Sequence, residues 1–124
     1  MRPWPHCVSC IPPGVYTDWS FIVTVRQIPV GELHQAGTDG VLLDVRGPGE
    51  YAEGHLPGAV NVPLDELNAV AARYAGQDVV TVCRSGARSL TAAQMLAAAG
   101  ARVQSLAGGT EAWQRAGHPV ETGR

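Results

Sequence analysis

Short apolar runs alternate along the chain with segments whose apolar residues have helical spacing. The runs predicted as strands are residues 21–25, 41–45, 59–62, 79–82 and 103–106. The segments predicted as helices or helical turns are residues 31–36, 47–53, 64–74 and 89 to near 100, and a last helix that follows Gly108-Gly109 and runs through Trp113. Continuous apolar runs are typical of strands covered on both faces. We therefore predict an α/β fold, a mostly parallel central sheet of about five strands with helices on both faces.

Length and composition fit one domain preceded by an irregular arm. The chain has 124 residues, of which 45% are hydrophobic and 16% charged, so it can bury a core and wholesale disorder is excluded. Residues 1–18 are rich in proline and aromatic residues without periodicity, and we expect an irregular arm there and a domain over residues 19–124. No apolar stretch is long enough to span a membrane, and prolines interrupt the N-terminal segment. We expect a cytoplasmic protein with neither a membrane span nor a secretory signal.

The charge balance argues against nucleic acid as a partner. Nine cationic residues, all of them arginine, stand against eleven acidic residues, which gives a net charge of −2. Domains that bind nucleic acid usually carry a basic patch, and this composition does not favour one.

Three cysteines, an odd number, cannot form a closed disulfide framework, so we expect at least one free thiol. Cys7 and Cys10 form a C-x-x-C next to His6. A structural zinc site needs four ligands, and the other candidate ligands have positions of their own within the domain. We therefore interpret Cys7 and Cys10 as an incidental pair and predict no metal site.

Cys83 stands at the end of the predicted strand at 79–82, where ligands bind in open α/β sheets. The six residues after it are Arg84, Ser85, Gly86, Ala87, Arg88 and Ser89, the last of which opens the predicted helix. A strand-to-helix loop can turn its N–H groups toward one point and form an anion-binding nest, which stabilises a thiolate. The two arginines add permanent cations that attract an anionic substrate. A lone cysteine is more often a small buried apolar residue, but these polar neighbours favour an activated nucleophile that binds its substrate through the loop.

Other charged residues are expected at the same edge of the sheet. The segments that end there are residues 44–46, 83–89 and 106–109. Asp44, Arg46 and Glu50 are expected to support the site, where Asp44 or Glu50 would ease the repulsion between Arg84 and Arg88. As an alternative, Asp44 and Arg46 form a structural ion pair.

Four motifs in this order resemble the rhodanese family, the thiosulfate sulfurtransferase-like proteins, from about Ile28 to Trp113. They are D-V-R at residues 44–46, E-Y-A-E-G-H-L-P-G-A-V-N-V-P at residues 50–63, the loop at residues 83–89, and L-A-G-G-x-x-x-W at residues 106–113. The chain resembles a single-domain member of that family. The resemblance implies a rhodanese-like α/β fold and structural roles for His55 and Trp113.

The resemblance also implies a sulfur-transfer reaction with Cys83 as the nucleophile. In such enzymes the thiolate attacks the outer sulfur of thiosulfate, expels sulfite and carries the sulfur as a persulfide to cyanide or a thiol. No metal or organic cofactor takes part. The partners implied are a small sulfur donor, either thiosulfate or a persulfide, and a thiol or cyanide acceptor, with a sulfur-accepting protein as a further acceptor.

Two other functions fit parts of this pattern. Cysteine-dependent phosphatases have a longer loop than the four residues that separate Cys83 from Arg88, and often have a histidine where Val82 precedes the cysteine. A smaller ring favours a single sulfur over a tetrahedral phosphate. The alternative that stays open is a non-catalytic rhodanese-like module for regulation or sulfur relay, although the presence of Cys83 favours the enzyme.

Overall fold

A computed structural model describes residues 25–37 and 40–123 of the chain. Its strands are β1 (Arg26–Ile28), β2 (Val41–Asp44), β3 (Val60–Asn61), β4 (Asp78–Val82) and β5 (Arg102–Leu106). Its helices are α1 (Val30–Ala36), α2 (Pro48–Glu53), α3 (Leu64–Val70), α4 (Ala87–Ala98) and α5 (Gly109–Arg115), with a 3-10 turn at Ala71–Tyr74. The predictions for the arm at residues 1–18, including the Cys7 and Cys10 pair, lie outside the described residues.

The described strands form one sheet in the order β1-β5-β4-β2-β3, and their pairings are all parallel. In this register Asp44 of β2 lies beside Val82 of β4, and Thr81 of β4 lies beside Ser105 of β5. Parallel strands end at the same edge, so the residues that follow β2, β4 and β5 meet there. The predicted fold class is confirmed.

Apolar side chains pack against both faces of the sheet, which explains the continuous apolar runs in the sequence. On one face, Val79 of β4 packs in a cluster with Leu67 of α3 and Leu96 of α4. On the other, Val82 packs in a cluster with Trp113 of α5. Burial of each such side chain contributes about 1.5–3 kcal/mol. None of the helices in the described part of the chain is long and apolar enough to cross a membrane.

Two helices differ from their predicted bounds by more than one residue, and the first predicted strand lies almost wholly outside the described residues. Of the strand predicted at residues 21–25 only Val25 is described, and it precedes β1, whose residues gain their pairing from β5. The helix predicted over residues 64–74 ends at Val70, whose φ of −120° leaves the α-helical range, and residues 71–74 form a tighter 3-10 turn. The helix predicted from Ser89 begins at Ala87, because Gly86 takes the N-cap position.

Candidate active site

Cys83 is a buried thiol immediately after the central strand β4. It is only 1% exposed and belongs to the same apolar cluster as Leu43 and Ala92. The Gly86 N–H donates a hydrogen bond of 3.0 Å to the Cys83 Sγ, which closes residues 83–86 into a tight turn. Gly86 has φ 115°, a left-handed conformation that other residues rarely adopt, so this turn requires glycine.

The start of α4 brings further backbone N–H groups to the same place. Ala87, Arg88 and Ser89 form the first turn of this 12-residue helix, where N–H groups have no acceptor within the helix. The loop is therefore shorter than predicted, because the helix begins at Ala87 instead of Ser89 and only residues 84–86 form the loop. The aligned peptides give a helix N-terminus roughly half a positive charge. The N–H groups of the turn and of the helix N-terminus together can stabilise an anion.

Both arginines of this segment form ion pairs with glutamates. The Arg84 Nε lies 3.0 Å from the Glu111 Oε2, and both side chains are exposed. Arg88 donates two hydrogen bonds, of 2.9 and 3.0 Å, to the Glu50 carboxylate. Of the two carboxylates considered from the sequence, Asp44 and Glu50, it is Glu50 that pairs with Arg88. Any substrate that binds these guanidinium groups therefore competes with the two glutamates.

The Arg88–Glu50 pair stays ionised over the ordinary pH range. The hydrogen bonds from Arg88 lower the pKa of Glu50 from 4.5 to about 2, against the opposing effect of burial. The bonds to Glu50 raise the pKa of Arg88 above its usual value, with smaller contributions from the charges of Cys83 and Asp44. Arg88 is therefore a permanent cation in the first turn of α4.

Asp44 and Arg46 form a buried ion pair at the end of β2. The Arg46 Nε lies 2.9 Å from the Asp44 Oδ1, and its Nη2 lies 2.7 Å from the Oδ2. Arg46 also donates to the Gly54 carbonyl at 2.7 Å, and the Asn61 side chain donates to the backbone carbonyls of Asp44 and Arg46. The pair joins β2 to the end of α2 and to β3. The Asp44 carboxylate therefore pairs with Arg46 rather than with the loop arginines.

The first turn of α5 lies directly on the loop. Thr110 donates to the Cys83 carbonyl through its N–H at 2.8 Å and its hydroxyl at 3.2 Å. The Glu111 N–H donates to the Arg84 carbonyl at 3.0 Å. A Cβ on Gly109 would overlap the Cys83 and Arg84 carbonyls, so only glycine permits this approach. Sequence reasoning missed Thr110 and Glu111, although their position directly after the G-G pair at the sheet edge was an available signal.

Buried hydroxyl groups lie behind the loop. The Ser105 hydroxyl of β5 lies 2.8 Å from the Ser89 hydroxyl, which donates to the Gly86 carbonyl at 3.0 Å. A hydroxyl has a single hydrogen, so Ser105 must donate to Ser89. The Thr81 hydroxyl of β4 donates separately to the Ser89 carbonyl at 2.8 Å. Ser89 therefore supports the turn with its side chain, a role that sequence reasoning did not predict.

A cleft of about 360 Å³ opens beside the loop. Its walls include Arg46, Glu50, Glu53, Arg84, Thr110 and Glu111. This volume equals that of about a dozen water molecules and admits a small solute. Its wall carries charges of both signs. In the part of the chain that the structure describes, no group of three or more His, Cys, Asp or Glu residues could hold a metal ion.

The match to a family model decides what kind of domain this is. The model of the Rhodanese-like domain matches residues 30–116, a range that includes all four sequence motifs and the first turn of α5. The chain belongs to the rhodanese-like domain family. The resemblance seen in the sequence is thereby confirmed.

Relatives of this rhodanese-like chain include named sulfurtransferases. It is 42% identical over 101 residues to a protein named Sulfurtransferase from Allochromatium vinosum, across 77% of this chain and 94% of that protein. It is 37% identical over 93 residues to Thiosulfate sulfurtransferase 16, chloroplastic, from Arabidopsis thaliana, across 64% of this chain and 78% of that protein. The crystal structure of a rhodanese-related protein from Thermoplasma volcanium matches with a TM-score of 0.73 and 28% identity, across 77% of this chain and 97% of its own.

Two motif residues of the rhodanese-like domain, His55 and Trp113, make structural contacts away from Cys83. The His55 Nδ1 lies 2.8 Å from the Tyr51 carbonyl, and the two rings stack with centroids 3.7 Å apart. Trp113 is buried, and its indole N–H donates to the Pro119 carbonyl at 2.7 Å. These contacts agree with the structural roles expected of both residues.

Proposed function

We propose that this rhodanese-like protein is a sulfurtransferase that carries a sulfane sulfur on Cys83. The proposal rests on the hydrogen bond of 3.0 Å from the Gly86 N–H to the buried Cys83 Sγ, where β4 passes into α4. A backbone donor and a helix N-terminus at a sulfur favour its anionic forms, the thiolate and the persulfide. The names of the two curated relatives support the same reaction class.

In the proposed first step the Cys83 thiolate attacks the outer sulfur of thiosulfate. A bond forms between Sγ and that sulfur, while the S–S bond of thiosulfate breaks and its electron pair leaves on sulfite. In the second step cyanide or a thiolate attacks the outer sulfur of the persulfide. That step releases thiocyanate or a new persulfide and restores the Cys83 thiolate. Both steps move electron pairs between named reactants, so the proposed cycle includes no cofactor.

We assign the binding of the donor to the loop and the first turn of α4. The transferred sulfur binds to the backbone N–H groups of residues 84–89, and the guanidinium groups of Arg84 and Arg88 bind the sulfonate end of thiosulfate. Because Glu111 and Glu50 already pair with these arginines, a dianion competes with them for the same donors. A persulfide, free or on a partner protein, is therefore the second donor class of the proposal.

A reducing compartment such as the cytoplasm suits this reaction, because the nucleophile must stay a free thiol. Cys83 is free and buried in the structure. The acceptor in that compartment is a small thiol or a sulfur-accepting protein.

Thiocyanate formation from thiosulfate and cyanide tests the proposed enzyme. We expect turnover by the wild type and by the Cys7→Ser/Cys10→Ser control, and none by Cys83→Ser at an equal concentration of folded protein. A wild type that takes up one sulfur on Cys83 but forms no thiocyanate would contradict the enzyme and favour the sulfur-relay alternative. Absence of both sulfur uptake and turnover would favour a regulatory module.

A further inference from the structure

The carbonyl groups of Cys83 and Arg84, at the start of the loop, accept hydrogen bonds from the first turn of α5. The Cys83 carbonyl accepts two hydrogen bonds from Thr110, and the Arg84 carbonyl accepts one from the Glu111 N–H. A trans peptide is planar, so its N–H points opposite to its C=O. The N–H groups of Arg84 and Ser85 belong to these two peptides and therefore point away from α5.

The end of the loop is held in the same way from α4 and β5. The Ser89 hydroxyl, which itself accepts a hydrogen bond from Ser105, donates to the Gly86 carbonyl. By the same geometry the N–H of Ala87 points away from Ser89. The N–H between these groups, that of Gly86, donates to the Cys83 Sγ.

We propose that Thr110 and the Ser105–Ser89 pair are positioning residues for sulfur transfer. They hold the loop carbonyls outward, so that the N–H groups of residues 84–87 converge on the sulfur that Cys83 carries. The inference rests on the proposed function and deepens it by naming the groups that orient the nest. A carbonyl that accepts a hydrogen bond also makes the N–H of its peptide a stronger donor. The three hydroxyls thus act through the backbone.

Thr81 offers a matched control within the same region. Its hydroxyl is buried and donates to the Ser89 carbonyl at 2.8 Å, a bond as short as those in the proposed support. The N–H of that peptide belongs to Leu90 and donates inside α4 to the Gly86 carbonyl. Thr81→Val therefore removes a buried hydroxyl without releasing a peptide whose N–H faces the sulfur.

Persulfide lifetime separates positioning from mere stability. The protein is loaded with thiosulfate, freed of excess donor, and followed by intact mass without an acceptor. We expect Thr110→Val and Ser89→Ala to shorten the persulfide half-life about fivefold, and to slow sulfur uptake at saturating thiosulfate with little change in the half-saturating concentration. Thr110→Ser, which keeps the hydroxyl, and Thr81→Val should match the wild type. A wild-type half-life in both Thr110→Val and Ser89→Ala would overturn the inference.

A spectroscopic readout is independent of sulfur transfer. The amide proton resonance of Arg84 should move upfield in Thr110→Val, because its peptide loses one of the two hydrogen bonds that polarise it, and should stay in place in Thr81→Val. If the wild type takes up no sulfur but the shift appears, the proposed function fails, while the support of the loop peptides by these hydroxyls stands. If sulfur uptake is normal but the variants show neither a shifted resonance nor a shorter persulfide lifetime, the positioning role fails and the proposed function stands. If thermal unfolding shows that Thr110→Val does not fold, the persulfide lifetime and the Ala87 amide resonance of Ser89→Ala test the inference instead.

Discussion

In the proposed reaction, Cys83 depends on backbone groups rather than on a side-chain base. Its Sγ accepts the Gly86 N–H, and the permanent cation Arg88 lies in the first turn of α4. The histidine of the motif, His55, contacts the Tyr51 carbonyl instead. In the proposed mechanism the sulfur therefore attacks without a proton acceptor beside it. The arginines around it are less free than the sequence suggests, because glutamates pair with both.

Neutralising Glu111 should strengthen the attraction for a dianionic donor. Glu111→Gln leaves the Arg84 guanidinium unpaired at the wall of the cleft. We expect kcat/KM for thiosulfate to rise about threefold at low ionic strength and the gain to fade above about 0.3 M salt, where charges are screened within a few ångströms. Glu66→Gln, an exposed carboxylate of α3, serves as the control. Equal rates for both variants at low salt would contradict this role of the pair.

The Glu50–Arg88 pair makes a further prediction about pH. The folded pKa of Glu50, about 2, is below its ordinary value of 4.5, so the pair stabilises the fold fully above pH 4.5 and loses this contribution as the pH falls toward 2. Both side chains are more than a third exposed, so the contribution is below about 1 kcal/mol. The free energy of unfolding of Glu50→Gln in urea should fall short of the wild type by a constant amount above pH 4.5. A difference that persists undiminished near pH 2 would contradict the assignment.

At the scale of elements, the loop and the first turn of α5 form one unit. The Thr110 N–H and hydroxyl reach the Cys83 carbonyl because Gly109 has no side chain and takes φ 61°. The same contact places Glu111 where its carboxylate reaches Arg84. The G-G pair of the sequence motif is therefore explained by the close approach of two backbones.

Gly109→Ala should separate these two elements. Its Cβ would overlap two carbonyl groups, and a left-handed alanine adds strain, so we expect a loss of about 2 kcal/mol or more in the free energy of unfolding. Gly31→Ala in α1 is the control, because a Cβ there meets nothing within 4 Å. That control should be neutral or stabilise by up to about 1 kcal/mol. Equal stabilities in urea for the two variants would show that the close contact is not needed.

The sequence predicts the order of the helices and strands well, but it predicts their boundaries less well. The apolar runs at residues 41–45, 79–82 and 103–106 mark three of the strands, because burial on both faces leaves them few polar positions. The start of α4 was predicted two residues late. Serine is a common N-cap, but the backbone freedom of Gly86 decided the boundary. Such a choice depends on tertiary contacts that local propensity does not contain.

At the scale of the whole molecule, the parallel sheet brings distant segments to one edge. The ends of β2, β4 and β5 supply the buried Asp44–Arg46 pair, the thiol and the turn into α5. The motifs and the position of Cys83 after a strand were enough to predict which segments meet. The partners of the arginines and the hydroxyls behind the loop depend on side-chain directions in three dimensions, and periodicity does not give these.

The buried Asp44–Arg46 pair should contribute to the stability of the entire domain. Asp44→Asn leaves the Arg46 charge buried without its carboxylate, and we expect a loss of about 3 kcal/mol in the free energy of unfolding. Asp78→Asn, which breaks an exposed pair with Arg102, is the matched control and should change stability little. Chemical unfolding of both variants checks this. A similar small change in both would mean that the buried pair is dispensable.

The mass of the intact protein after incubation with thiosulfate tests the central claim most directly. We predict that the wild type and the Cys7→Ser/Cys10→Ser variant each gain the mass of one sulfur atom, that cyanide removes it, and that Cys83→Ser gains nothing. No gain in the wild type, or an undiminished gain in Cys83→Ser, would contradict the assignment of Cys83 as the sulfur carrier.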